Sequence, residues 1–193
     1  MSKLISNKWW LFAGFVFVAA LSRLLPHPYN FTPIGGMALF AGGVLSGKRL
    51  FWIIPIVAYY ISDLLVNNIL YASFYDSFVW SGHLFVYISL FAIIFMGRYL
   101  LQKITVGRLL IGTISASGIF FILTNFGVWL ASPMYPPTFE GLIACYAAAI
   151  PFLHNTLAGD AFYVTLLFGS YAWITQNQPS LLLKRIDWSS RNG

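Results

Sequence analysis

Apolar residues run along this chain in stretches near twenty long, broken by glycine, proline and small groups of charge, without the two-residue alternation of half-buried strands. Only α-helices and closed barrels satisfy every backbone group in lipid, and barrel strands alternate. The pattern therefore predicts an all-α integral membrane protein. Breaks at glycine, proline and charge place six transmembrane helices near 9–25, 33–47, 50–70, 82–102, 107–131 and 154–175. Segment 139–152 is too short to cross a bilayer and reads as an extra interfacial or re-entrant helix before the last span. Residues 176–193, with Pro179 and a basic, serine-rich end, read as a cytoplasmic tail, so that 1–193 forms a single membrane domain.

The segment 33–47 is the least regular of the six. Gly35, Gly36, Gly42, Gly43 and Gly47 make it short and pliable, so it is expected to be tilted, partly buried in protein, or both. Its Ala38-x-x-x-Gly42 pair would let another helix approach closely.

Composition supports a bilayer as the solvent. Residues are 59% hydrophobic and only 8% charged, where a soluble domain carries about 25% charged residues. The excess of 11 Lys+Arg over 5 Asp+Glu is then a topology signal, with no nucleic-acid partner implied. With the N-terminus inside, the cytoplasmic segments hold Lys3 and Lys8, Lys48 and Arg49, Arg98, Lys103 and Arg108, then Lys184, Arg185 and Arg191. Only Arg23 is left outside, which predicts both termini in the cytoplasm. Tryptophans agree: Trp9, Trp10, Trp52 and Trp173 fall at inner ends, Trp80 and Trp129 at outer ends. Lys3, Lys8, the following apolar core and Val18-Ala19-Ala20 resemble a secretory leader, but the further apolar stretches favour a first helix that is retained.

Against that topology the acids become informative. Asp63, Asp76, Glu140 and Asp160 lie toward the outer face, and Asp63 and Asp160 sit within their helices, about ten ångströms below the outer ends at 1.5 Å per residue. Ionisable groups at such depth face a polar cavity or a partner. Tyr59, Asp63 and Asn67 recur at four-residue spacing on one helix face, as do His83 and Tyr87, and Asn125 and Trp129. Thr156, Asp160 and Tyr163 repeat the pattern near Asn155. The stiff loop "SPMYPPTFEG" could cover an opening, and "GLIACYAAAIPF" carries Cys145 and Tyr146 along the outer surface. With Arg23 and His27 in "RLLPHPYNFTP", where three prolines build a rigid corner, these residues outline an outward polar and aromatic cup for a small molecule. Plainer roles stand beside this one: Asp63 as ion-pair partner of Arg23, His27, His83 and His154 as interface hydrogen-bonders, and Cys145 as a packing residue.

Several chemistries find no support. "SGKR" at 46–49 lacks the glycine-rich approach of a phosphate loop, and His-Glu-x-x-His and Gly-x-Ser-x-Gly are missing. The single Cys145 excludes an intramolecular disulfide and a multi-cysteine metal site. "ISD" at 61–63 and "AGD" at 158–160 resemble the paired aspartates of an intramembrane aspartyl protease only weakly. No enzyme, resident cofactor or metal site is expected, and an intramembrane enzyme using Asp63 and Asp160 stays as an alternative.

Taken together, "RLLPHPYNFTPIGGMALFAGG", "TNFGVWL", "YPPTFEGLIACYAAAIPF" and "NTLAGDAFYVTLLFG" resemble a bacterial membrane-protein family that carries a domain-of-unknown-function label. More distantly, the size and the expected topology resemble the S components of energy-coupling-factor vitamin transporters. That resemblance implies a subunit of the bacterial cytoplasmic membrane that captures a vitamin-like small molecule outside and works with an energising ATPase module. The Ala-x-x-x-Ala docking motif common in the first helix of S components is absent, since Ala13 is followed at that spacing by Phe17. Solitary S-component-like cobalamin transporters place a cysteine near the corrinoid cobalt, which makes Cys145 a point of comparison and a corrinoid one candidate ligand. A structural or assembly subunit, in which the polar residues only join helices, is the alternative of another class.

Overall fold

The computed structural model describes residues 9–47, 49, 51–80 and 84–177. Among these residues six α-helices follow one another: α1 (Trp9–Leu21), α2 (Ile34–Phe40), α3 (Ile53–Leu65), α4 (Leu84–Leu100), α5 (Val106–Ala131) and α6 (Phe139–Asn177). Turns of different pitch prolong three of them, a 3-10 turn at Ser22–Leu24 after α1 and wide π turns at Ala41–Leu45 after α2 and Val66–Leu70 after α3.

Side-chain contacts fix the directions. Arg23, just past α1, meets Asp63 near the end of α3, whereas Phe12 near the start of α1 meets Tyr171 near the end of α6. Tyr59 of α3 meets Tyr87 of α4, while Phe51 before α3 meets Phe95. Gly36 and Gly43 of the α2 segment meet Tyr163 and Phe168 of α6 in that order, and Ser117 of α5 meets Asp160. Helices α1, α3 and α5 therefore run one way, and α2, α4 and α6 the other.

Helix α2 lies at the centre, with all seven of its residues buried and α1, α3, α4, α5 and α6 around it. Its glycines explain how so many neighbours fit. A Cβ at Gly42 would strike the Ile94 carbonyl and come within 2.8 Å of the Arg98 nitrogen, and one at Gly97 would meet the Leu39 backbone at 3.1 Å. In lipid, where apolar surface gains nothing by leaving the solvent, such close packing is what holds helices together. Of the expectation that 33–47 is tilted, partly buried, or both, the burial is found, and the close approach is found at Gly42 beside a buried Ala38.

The expectation of six membrane spans is overturned. Among the described residues three helices are long and apolar enough to cross a membrane: Ile53–Leu70, Val106–Ala131 and Phe139–Gln176. Trp9–Leu24, Ile34–Leu45 and Leu84–Leu100 are apolar but shorter, at 10–17 residues, against the roughly 20 a span requires. Hydropathy misleads most at α2, whose apolar side chains face protein on every side. The separate short helix at 139–152 and the span at 154–175 are also corrected, because both belong to one helix of 39 residues with Pro151 inside it. Proline forfeits one backbone bond and crowds the carbonyl four residues earlier, but in lipid the helix tolerates this, since neighbouring helices and local adjustment can satisfy the freed carbonyl.

The inside and outside assignments that rested on six spans, and the likeness to S-component architecture, lose that support. What remains is an uneven distribution of charge. Arg49, Arg98, Lys103 and Arg108 gather at the end where α4 passes into α5, with the Arg98 guanidinium 5.0 Å from the Phe51 ring centre in a cation–π contact. Arg108 donates to the Leu100 carbonyl at 3.1 Å. Lys3, Lys8, Lys48 and the tail from 178 lie outside the described residues.

Candidate functional site

The chain turns a corner after α1. Ser22–Leu24 tightens into a 3-10 turn and Leu25 is extended. A turn closed by the Phe31 N–H on the Pro28 carbonyl at 3.0 Å then leads to Pro33, which heads α2. Asn30 takes a positive φ of 63° within that turn, a conformation asparagine adopts more readily than most residues. This corner turns Arg23 back into the protein. Its guanidinium pairs with Asp63 at 3.0 Å, donates to the Ser62 hydroxyl at 2.9 Å, and lies 4.7 Å from the centre of the Tyr59 ring. Asn67 donates to the other Asp63 oxygen at 3.2 Å, one helical turn along. Tyr87 meets Tyr59 edge to face, ring centres 5.3 Å apart. Both charged side chains are about nine-tenths buried, at 11% and 8% exposure, so they neutralise each other where either alone would be costly.

Asp160 has a different task. The residue heading α2 is Pro33, which offers no side-chain cap, yet the first N–H groups of a helix need acceptors. Asp160 reaches across from α6 and accepts from the Gly36 N–H at 3.2 Å and from the Ser117 hydroxyl at 2.7 Å. A Cβ on Gly35 would collide with its carboxylate, so glycine is what admits the acid. One turn further along α6, the Tyr163 and Ser22 hydroxyls lie 2.7 Å apart. A polar belt thus runs from Asn67 and Asp63 through Arg23, Ser22 and Tyr163 to Asp160 and Ser117, joining α1, α2, α3, α5 and α6.

A cavity of about 410 Å³ opens beside this belt, between α5 and α6. Phe120, Phe121, Thr124 and Asn125 line it from α5, and Cys145, Ala149, Phe152 and Thr156 from α6. Asn30 from the proline corner and Met134 and Tyr135 from the α5–α6 loop complete the wall, and none of its lining residues is charged. The loop is braced: Trp129 Nε1 donates to the Pro136 carbonyl at 3.0 Å. Tyr146 donates to the Ile122 carbonyl at 2.7 Å and the Cys145 thiol to the Asn125 carbonyl at 3.4 Å, tying α6 to α5. A second groove of about 560 Å³, mainly apolar with several threonines in its wall, lies between the start of α5 and the end of α6 and contains none of the residues singled out in the sequence.

The residues expected to form one cup are therefore divided. Arg23, Tyr59, Asp63, Asn67 and Tyr87 belong to the ion-pair cluster, and Asp160 caps α2. Asn125 and Cys145 line the cavity, while Trp129 and Tyr146 brace it. Asn155 is half-buried on α6 beside the lining residue Thr156, and His27 is exposed, with Nδ1 3.0 Å from the Pro28 carbonyl. His83 lies outside the described residues. Ser62, Ser117 and Asn30 were not singled out, and Gly36 was read only as a flexible position. A proline heading a glycine-rich helix was the available signal for Asp160, since such a helix must borrow its cap. Asn68 was missed as well; its amide clasps Val79 through both N–H and carbonyl, at 2.8 and 2.9 Å.

Apolar helices around a buried glycine-rich helix, with the buried charges among the described residues held in an internal pair and a borrowed cap, define a multi-pass, all-α membrane protein. Within that class the chain belongs to the family of unknown function DUF6580, whose model matches residues 3–181. Comparison with the curated proteins and with the solved structures found no match.

Proposed function

We propose that this protein is the small-molecule-binding subunit of a bacterial membrane transporter, and that its ligand, of vitamin size, sits in the cavity between α5 and α6. The observation that carries the reading is the cavity itself. Its volume of about 410 Å³ falls in the range of about 300–1,000 Å³ typical of small-molecule sites, and aromatic walls with a few polar groups are their usual lining. The binding role passes from Arg23, Asp63 and Asp160, which are engaged within the chain, to Asn125 and its neighbours. A corrinoid is disfavoured, because the volume lies at the low end of that range and the Cys145 thiol is already turned to a carbonyl. With no phosphate-loop motif in the sequence, movement of the ligand draws on an ion gradient or on a partner ATPase.

The reading is not enzymatic: Asp63 and Asp160 answer to different partners, and neither lines the cavity. A second reading, a structural or assembly subunit, is favoured by the polar belt, which joins five helices without help from a ligand. Purification in mild detergent, followed by mass spectrometry and visible absorbance of whatever co-purifies, separates the two. The transport reading expects a bound small molecule or a hit in a vitamin panel; an empty cavity and a blank panel would leave the structural reading standing.

A further inference from the structure

Three polar groups in the cavity wall keep bonding capacity to spare. The Asn125 amide donates to the Phe121 carbonyl at 2.8 Å. A carbonyl can only accept, so this bond fixes the amide's orientation and leaves Oδ1 and one N–H without a partner among the described residues. The Asn30 amide and the Tyr135 hydroxyl, also in the wall, meet no hydrogen-bond partner among the described residues either. Two carboxamides and a phenol in the wall of one cavity offer donors and acceptors and carry no charge. Around them Phe120, Phe121 and Phe152 present ring surface, on which a flat molecule gains by stacking. A charged ligand would lose its hydration here and find no counter-charge in the wall.

From this lining we infer that the cavity selects an uncharged, flat heterocycle carrying hydrogen-bond donors and acceptors along its edge. The inference rests on the binding reading above and adds the charge and shape of the ligand. Asn125, Asn30 and Tyr135 read the edge, and the phenylalanines hold the faces.

The test uses matched probes with the purified full-length protein in detergent: riboflavin against riboflavin 5′-phosphate, adenosine against adenosine 5′-monophosphate, and thiamine as a cation. Binding is measured by equilibrium dialysis and by the shift of the thermal midpoint. In at least one pair the neutral member is expected to bind at least about tenfold more tightly than its phosphate, with thiamine silent. Asn125→Ala, or Tyr135→Phe as the milder change, should each weaken the neutral probe by up to about tenfold, the loss of one hydrogen bond. Equal or tighter binding of a phosphate or of thiamine overturns the inference, as does neutral binding that neither variant alters. A co-purified molecule that is charged or non-planar sinks this inference alone. No probe bound and no molecule co-purified sinks the parent reading with it.

Discussion

Arg23 and Asp160 show how a buried charge in this protein is accounted for by its neighbours. Arg23 and Asp63 form a pair that is costly to break from one side, because removing either partner strands the other in a low-dielectric interior. Arg23→Met and Asp63→Leu should each destabilise by about 3 kcal/mol or more, and the double variant by less than their sum. Thermal or denaturant unfolding in detergent reads both values; strict additivity would mean that the 3.0 Å pair contributes nothing. Asp160→Ala removes the acceptor for the Gly36 N–H and the Ser117 hydroxyl and is expected to cost about 3 kcal/mol. Since neither acid lines the cavity, Asp63→Asn and Asp160→Asn should lower the unfolding midpoint and leave ligand affinity within about twofold. A loss of affinity without a loss of stability would return these carboxylates to the binding site.

At the scale of helices, α2 is the element on which the others depend, and close approach is its condition. Gly42→Val should prevent α2 and α4 from meeting, since even a Cβ there strikes the Ile94 carbonyl; aggregation or loss of the folded species on size-exclusion chromatography is the expected outcome. Pro151→Ala should keep or slightly raise both the helical circular dichroism and the thermal midpoint, because Pro151 interrupts the bonding of a helix that is continuous around it. A fall in either would point to a hinge that needs the proline. These two positions also mark the limits of what the sequence disclosed. Apolar runs located the helices, α6 in two pieces, because burial in lipid and burial in protein demand the same side chains. For that same reason they could not tell that α2 lies inside the protein, and a span was assigned where the helix is too short. Pro151 looked like a boundary because proline usually ends helices in water, whereas here the neighbouring turns hold. Spacing along one helix disclosed the Tyr59, Asp63 and Asn67 face, and a misplaced charge pointed to Arg23. Partners drawn from distant helices, such as Ser117 for Asp160, depend on packing that one-dimensional spacing does not encode.

In the whole molecule, polar chemistry is divided by task. Charges build the belt that joins α1, α2, α3, α5 and α6, uncharged polar groups face the cavity, and the arginines Arg49, Arg98 and Arg108 collect at the opposite end of the bundle. At 1.5 Å per residue, the 39 residues of α6 reach about 58 Å, beyond the roughly 40–45 Å of a bilayer with its headgroups. This helix therefore tilts, bends or projects from the membrane, and the cavity lies along its first half. The central claim is that this cavity holds a small molecule, and the most direct test is a comparison of wild type with Ala149→Phe, which fills the wall without touching the polar belt. Both proteins are purified in the same mild detergent, and the small molecules released on denaturation are identified by mass spectrometry. The account predicts a stoichiometric compound with the wild type that is lost from a folded Ala149→Phe; the same compound retained at the same level by both, or none released from the wild type, would contradict it.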